Sequence, residues 1–232
     1  MRSIAQEKIG INALLTAIVA DNRLEARQLL NRDPTLATCS VGEPTLYESE
    51  IYHWLYAGDT ALHLAAAGYR VEIARLLLEA GADVNSTENH RRSGPLHYAA
   101  DGYISAPTWD ADRQVAMIRC LIDAGADIHA QDLNGATPLH RAVRTRCADA
   151  VRCLLDQGSD PTKRNKSGST PFHLAVQNTG RGGSGESAAK EAQRQIIAEF
   201  FGRGVSPQLK DGKGKSVLDS ARSETVRKLL IR

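Results

Sequence analysis

An all-α solenoid, built from stacked helix-turn-helix units with short loop or hairpin connections, is the fold this sequence predicts. Three observations predict it. A tetrapeptide recurs as Thr60-Ala-Leu-His63, Gly94-Pro-Leu-His97, Thr137-Pro-Leu-His140 and Thr170-Pro-Phe-His173, with histidines 34, 43 and 33 residues apart. Three of these copies lead into an apolar stretch that ends in glycine: Leu77-Leu78-Glu79-Ala80-Gly81, Leu121-Ile122-Asp123-Ala124-Gly125 and Leu154-Leu155-Asp156-Gln157-Gly158. A short loop of the type Ala82-Asp83-Val84-Asn85 comes next, with counterparts at 126–129 and 159–162. Self-similarity at such a period is the signature of a repeat architecture.

Each element has a physical reason. Thr60, Thr137 and Thr170 stand where a side-chain oxygen can accept the unpaired N–H groups of a helix start, and Pro138 and Pro171 fit a first turn that needs no N–H. The small residues after each histidine (Ala65-Ala66, Ala99-Ala100, Ala142-Val143, Ala175-Val176) let two short helices pack closely. Val151, Leu154 and Leu155 give the i, i+3, i+4 stripe of a core-facing helix. Gly81, Gly125 and Gly158 supply left-handed helix stops. One unit cannot bury its own apolar face, so neighbours must stack. Residues 13–34 align as a first unit lacking the histidine, with Leu29-Leu30 at the paired-leucine position. Ser216-Val217-Leu218-Asp219 opens a shortened last unit, and both ends read as more polar than the interior.

These residues resemble the ankyrin repeat: a Thr-Pro-Leu-His helix start, a second helix, a glycine stop and a Gly-Ala-Asp-Val-Asn loop. The alignment gives a single domain over 1–232 with six repeats: about 7–38 as N-terminal cap, 55–88, 89–131 with an insertion, 132–164, 165–210 with an insertion, and 211–232 as C-terminal cap. Residues 39–57 form an inserted loop between the first two repeats. The resemblance implies that His63, His97, His140 and His173 are structural, bonding loop backbone between neighbours. It also implies that binding side chains come from the concave face, here Leu133, Asn134, Arg144, Thr145, Lys166, Gln177 and Asn178.

Departures from the period mark loops on one face of such a stack. Extra residues fall around 39–57, 102–112 and 179–191. All six Tyr and both Trp lie between residues 47 and 109, and Tyr47, Tyr52, Trp54, Tyr56, Tyr103 and Trp109 sit in or beside the first two insertions. Large amphipathic rings outside the repeat pattern suit an interface, or else pack the insertions onto the scaffold. Charge is segregated too. Residues 1–116 carry 10 Lys and Arg against 15 Asp and Glu, net −5, and residues 117–232 carry 19 against 12, net +7.

Several apparent motifs lose their chemistry on inspection. The 42% hydrophobic and 24% charged composition excludes a disordered chain. Cys39, Cys120, Cys147 and Cys153 contain no C-x-x-C pair, which suits reduced thiols in the cytoplasm. Arg2 and Lys8 before an apolar run imitate a secretory signal, but Ile18 and Val19 occupy the place of the small cleavage-site residues, so the run reads as a first helix. No stretch is apolar enough to span a membrane. Gly180-Arg-Gly-Gly-Ser-Gly185-Glu186-Ser187 has the spacing of a phosphate-cradling loop, yet Glu186 replaces its lysine and no strand precedes it. Histidines one repeat apart along a stack cannot share a metal with ligand distances near ~2 Å. No G-x-S-x-G elbow nominates a catalytic serine, and His53, His90 and His129 fall in expected loops. Basic residues and aromatics do not interleave as single-strand nucleic-acid binders require. Asn85, with His129 one repeat later, resembles an ankyrin position that asparaginyl hydroxylases modify.

The expectation is a monomeric, non-catalytic scaffold without metal or cofactor, binding a protein partner through the concave face and the aromatic insertions. The alternative is a small-ligand binder or enzyme with a pocket between an insertion and the groove.

Overall fold

The computed structural model describes residues 4–47, 50–102, 104–178 and 185–231. The chain divides into two compact units, Met1–Ala99 with Ser105–Asp127, and Ala100–Ile104 with Ile128–Arg232. Both are built from antiparallel helix pairs, and the fold class is the all-α one expected.

In unit 1, α1 (Ile4–Val19) and α2 (Arg23–Arg32) form the first pair, followed by a 3-10 turn at Pro34–Ala37. A two-stranded antiparallel hairpin comes next, β1 (Thr45–Tyr47) and β2 (His53–Leu55), with Leu46 opposite Trp54. The inserted loop at 39–57 therefore contains a hairpin, and His53 lies in a strand where a loop was expected. Then come α3 (Ala61–Ala67), α4 (Val71–Glu79), α5 (Pro95–Ala100, all but its last residue in this unit) and α6 (Ala111–Asp123). α1 packs on α3, α2 on α4 and α4 on α6. Leu14, Ile18, Leu62, Ile73, Leu77, Met117 and Leu121 are fully buried between them. The first pair is less polar outwardly than its sequence suggests, since Ile9 and Leu24 both remain exposed.

Unit 2 holds α7 (Pro138–Arg144) with α8 (Ala148–Asp156), α9 (Pro171–Ala175) with α10 (Ser187–Gly202), and α11 (Val217–Ser220) with α12 (Glu224–Leu230). α7 packs on α9, α8 on α10, α9 on α11 and α10 on α12. Val151, Leu154, Ile196, Phe172 and Phe200 fill the core, the two phenylalanines stacked with ring centroids 4.7 Å apart. The stretch 179–191 was expected as an inserted loop. Its last five residues, 187–191, instead form the start of α10, because Ala188, Ala189, Lys190 and Glu191 are good helix formers. Residues 179–184, which carry most of the glycine-rich spacing, lie outside the described residues.

A periodic hydrogen-bond frame holds each loop in place. In His63 the Nδ1 atom accepts from Thr60 N–H at 3.0 Å, and Nε2 reaches the Ser93 carbonyl at 3.0 Å. A carbonyl oxygen only accepts, so Nε2 carries the proton and the ring is the neutral Nε2–H tautomer. His140 repeats this with Thr137 N–H and the Ser169 carbonyl. In His173, Nδ1 pairs with the Thr170 hydroxyl and Nε2 with the Lys215 carbonyl. His97 Nδ1 accepts from Gly94 N–H, where no hydroxyl is available. A second periodic position lies eight residues before His97, His140 and His173, and before Asp219, which takes the ring's place in the capping box of α11. Asp132, Asn165 and Asp211 each take two loop N–H groups onto Oδ1, and Asn89 does the same before His97. These short side chains close the loops locally.

Two arginines close helix ends. Arg70 donates to the carbonyls of Ile18 and Val19 at the end of α1. Arg146 donates to those of Ala175 and Gln177 at the end of α9. Both satisfy last-turn carbonyls that have no partner within the helix and carry its negative dipole end.

Candidate binding surfaces

In unit 1 the hairpin presents an aromatic shelf. Trp54 is 45% exposed, and its ring lies 6.2 Å from Tyr56 in a near-parallel stack. Arg91 sits over the Tyr56 ring at 4.7 Å, and His90 meets the ring edge at 5.0 Å. Tyr52 is exposed at the hairpin turn, held at φ 55, a left-handed conformation that costs a tyrosine about 1 kcal/mol. Tyr47 is half-buried. Trp109 lies apart from this shelf in role: it is half-buried, and its indole N–H donates to Gln114, which itself donates to the Ala99 carbonyl. That ring packs an insertion down onto α5. Tyr103 lies outside the described residues.

Beneath the shelf is a sealed polar cluster. Asp59 is fully buried, and its Oδ2 accepts from the Tyr98 hydroxyl and the Tyr56 N–H, each at 2.6 Å. Its other oxygen is 3.7 Å from Nε2 of His63, which is also fully buried. Burial pushes the Asp59 pKa up to about 6, against the pull of its hydrogen bonds. Burial pushes His63 down to about 4. The composition is that of an acid–base pair, but both side chains are sealed from solvent. Asp59 instead anchors the hairpin to the helices behind it, its own carbonyl accepting from Val41 N–H at 2.7 Å.

In unit 2 the seven residues expected on the concave face separate into groups. Leu133, 44% exposed, and Asn134 occupy one loop tip, and Lys166 lies on the next, joined by a Lys166 N–H to Asn134 carbonyl bond of 2.9 Å. Arg144 ends α7 and Thr145 follows it, and both are engaged. Arg144 pairs with Asp101, and the Thr145 hydroxyl donates to the Arg141 carbonyl. Behind them Arg141 is buried and bridges Asp101 and Asp132, at 3.2 and 2.5 Å. Burial raises the Asp132 carboxyl, but the Ala136 N–H and the Arg141 guanidinium outweigh it and hold the group below the usual carboxylate range.

Gln177 and Asn178, just past α9, line a cavity of about 480 Å³. Asp211 and Lys215 of the following loop form a second wall, with Ser220 and Arg222 a third. The Asn178 Oδ1 atom is shielded from solvent and has no hydrogen-bond donor among the described residues. Lys215 and Arg222 are exposed, and neither has a carboxylate within 4.0 Å among the described residues. A smaller cavity of about 220 Å³, reaching Lys190, Gln193 and Arg194, shares Asn178.

Among the described residues no group of three His, Cys, Asp or Glu is placed to hold a metal ion. None of their helices is long and apolar enough to cross a membrane. Cys120, Cys147 and Cys153 are buried. Asn85 spends its side chain on structure, accepting from Asp127 N–H and donating to the Gly125 carbonyl.

Comparison with known proteins agrees with this architecture. The family described as ankyrin repeat matches residues 57–89, and that described as ankyrin repeats (3 copies) matches residues 111–186. Tyrosine-protein kinase Shark of Drosophila melanogaster is 37% identical over 95 residues, covering 40% of this chain and 9% of its own length. Neurogenic locus notch homolog protein 1 of Mus musculus is 40% identical over 87 residues, covering 38% of this chain and 3% of its own. Ankyrin repeat and SOCS box protein 6 of Mus musculus is 32% identical over 84 residues, covering 36% of this chain and 18% of its own. The chain thus matches less than a fifth of the length of each. Ankyrin repeats generally mediate protein–protein interaction and are not typically catalytic. Helix pairs tied by a periodic histidine, and family matches over residues 57–89 and 111–186, make the chain an ankyrin-repeat protein.

Proposed function

We propose that this chain is a non-catalytic binding scaffold that captures a protein partner in the cytoplasm, using the aromatic shelf and the groove of unit 2. The observation that carries the reading is Trp54, a large ring left 45% exposed and backed by Tyr56 and Arg91. Burying such a side chain against a partner is the kind of contact that dominates interfaces. The side chains with periodic spacing are turned inward on the frame, whereas Trp54, Leu133 and Lys166 are exposed.

Affinity capture with the tagged full chain from its source cell, followed by mass spectrometry, identifies the partner. Trp54→Ala should then weaken capture at least ~10-fold, the scale of one interface anchor, with helical circular dichroism unchanged. Unaltered capture by that variant would remove the shelf from the interface. A second reading, a small-ligand pocket, is favoured by one observation, the cavity of about 480 Å³ beside Gln177 and Asn178, which lies within the size range of ligand sites.

A further inference from the structure

The cavity beside Asn178 combines features that the repeat frame does not require. Its two cations, Lys215 and Arg222, have no carboxylate within 4.0 Å among the described residues. Its Asn178 carbonyl oxygen is shielded and lacks a donor. Its walls are held firmly. Asp211 Oδ1 takes the Lys213 and Lys215 N–H groups, His173 fixes the Lys215 carbonyl, and Gly212 N–H bonds the Gly168 carbonyl of the preceding loop. Such preorganisation lowers the ordering cost of binding.

The surrounding charge has the matching sign. Unit 2 carries 18 Lys and Arg against 11 Asp and Glu, net +7. The pocket is not uniformly positive, however, because the Asp211 carboxylate stands in its wall. A chain of phosphates would press negative charge against that carboxylate. A peptide bearing a side-chain carboxylate, flanked by backbone N–H groups, supplies what both halves lack. The carboxylate would meet Lys215 and Arg222, and a backbone N–H would meet the Asn178 oxygen. A volume of about 480 Å³ is large enough for residue-sized groups and far more than a lone ion needs.

We propose that this pocket receives the carboxylate side chain of an acidic peptide segment, presented by the partner. The proposal rests on the protein-binding reading above and names the chemistry of that partner.

The test is fluorescence anisotropy with the full chain and a fluorescein-labelled, C-terminally amidated octapeptide of alternating Glu and Gly. The same peptide with Gln in place of Glu is the control. The Glu peptide should bind at least tenfold tighter than the Gln peptide. Lys215→Gln and Arg222→Gln should each weaken it at least fivefold, and Asn178→Asp should weaken it as well. Lys228→Gln, a charge removal on α12 away from the pocket, should change it less than twofold. Equal binding of the two peptides, equal losses from Lys228→Gln and Lys215→Gln, or displacement by an equimolar amount of inorganic phosphate would each overturn the proposal. Circular dichroism and urea melts verify that each variant is folded. Where the full chain captures a partner and Lys215→Gln with Arg222→Gln leaves that capture intact, the acidic-peptide assignment fails while the binding function stands. Where the chain captures no protein, the binding function itself fails.

Discussion

Replacing Asp59 with asparagine should uncover a pH dependence that unit 1 otherwise conceals. Asp59 and His63 are sealed together, and burial displaces them in opposite directions, to about 6 from 3.8 and to about 4 from 6.5. Between pH 4 and 6 the folded unit keeps a proton on Asp59 and none on His63 Nδ1. The unfolded chain does the reverse. Bound protons are then nearly equal in the two states, so this pair leaves stability almost flat. Geometry agrees: His63 Nδ1 already accepts from Thr60 N–H, so a second ring proton would face a donor. Asparagine removes the carboxyl half. The depressed histidine remains, the unfolded chain takes up its proton below about 6.5, and stability falls as pH drops toward 4. Between pH 7 and pH 5 the compensation lost with Asp59 is roughly 1.3 kcal/mol, by linkage from its displaced and ordinary pKa. His63→Asn should tilt the profile the other way, because a carboxyl with a raised folded pKa adds stability as pH falls through 6. Urea melts followed by tryptophan fluorescence read unit 1 alone, since Trp54 and Trp109 both lie in it. The rest of the chain is common to native and variant proteins, so the difference between the two pH slopes isolates Asp59. Parallel slopes would refute the account of a compensated buried pair.

Three further outcomes are expected. Arg141→Met leaves the buried Asp132 and its neighbour Asp101 without their shared cation, and should cost unit 2 about 3–5 kcal/mol in denaturant melts; Arg141→Lys should restore little, because an ammonium cannot reach both carboxylates as a planar guanidinium does, and a loss below about 1 kcal/mol from Arg141→Met would count against the bridge. Gly168→Ala and Gly158→Ala share a left-handed backbone, φ 83 and φ 94, but only at Gly168 would the added carbon meet backbone, 2.8 Å from Gly212. The first should cost at least ~1 kcal/mol more than the second in the same melts, since conformational strain alone is about 1 kcal/mol, and equal costs would show that the loops can part freely. Trp109→Ala should lower thermal stability by about 3 kcal/mol as a packed ring, whereas Trp54→Ala should leave it within about 0.5 kcal/mol as a surface side chain; the reverse order would exchange the structural and binding roles of the two rings.

What the sequence makes legible is whatever the repeat duplicates. His63, His140 and His173 stand out because each must reach the next loop's backbone, and the same reach imposes the same spacing. The Asx position eight residues before His97, His140, His173 and Asp219, at Asn89, Asp132, Asn165 and Asp211, recurs just as regularly and is readable by the same alignment. Arg70 and Arg146 are not legible. Their guanidiniums bond carbonyls 52 to 28 residues away, a distance set by packing and marked by no local pattern. Asp59 is hidden for the same reason, since nothing near it in the chain announces Tyr98, 39 residues on. Trp54 and Trp109 look alike as aromatics in insertions, yet Gln114 on α6 claims one and no such partner claims the other's indole among the described residues. Lys215 is visible only as one of several basic residues, and Arg222 not at all, because the cavity joining them to Asn178 exists only after folding.

The two kinds of residue divide the labour of the molecule. A side chain that repeats is bound to a geometric task shared by every unit, and the task here is inward: a helix cap, a loop closure, a neutral imidazole spanning to the next backbone. Such a residue is unavailable for a partner, because its polar atoms are already paired. On the proposed reading, recognition falls to side chains that the frame leaves free. In unit 1 these are the hairpin rings, and in unit 2 they are Leu133, Lys166, Lys215 and Arg222, none fixed by the frame through its side chain. The separation also explains why family resemblance reaches the scaffold and stops short of the partner. The matched stretches share the frame, whereas the proposed recognition rests on side chains that change identity from one repeat to the next, as Leu133 and Lys166 do at one loop position.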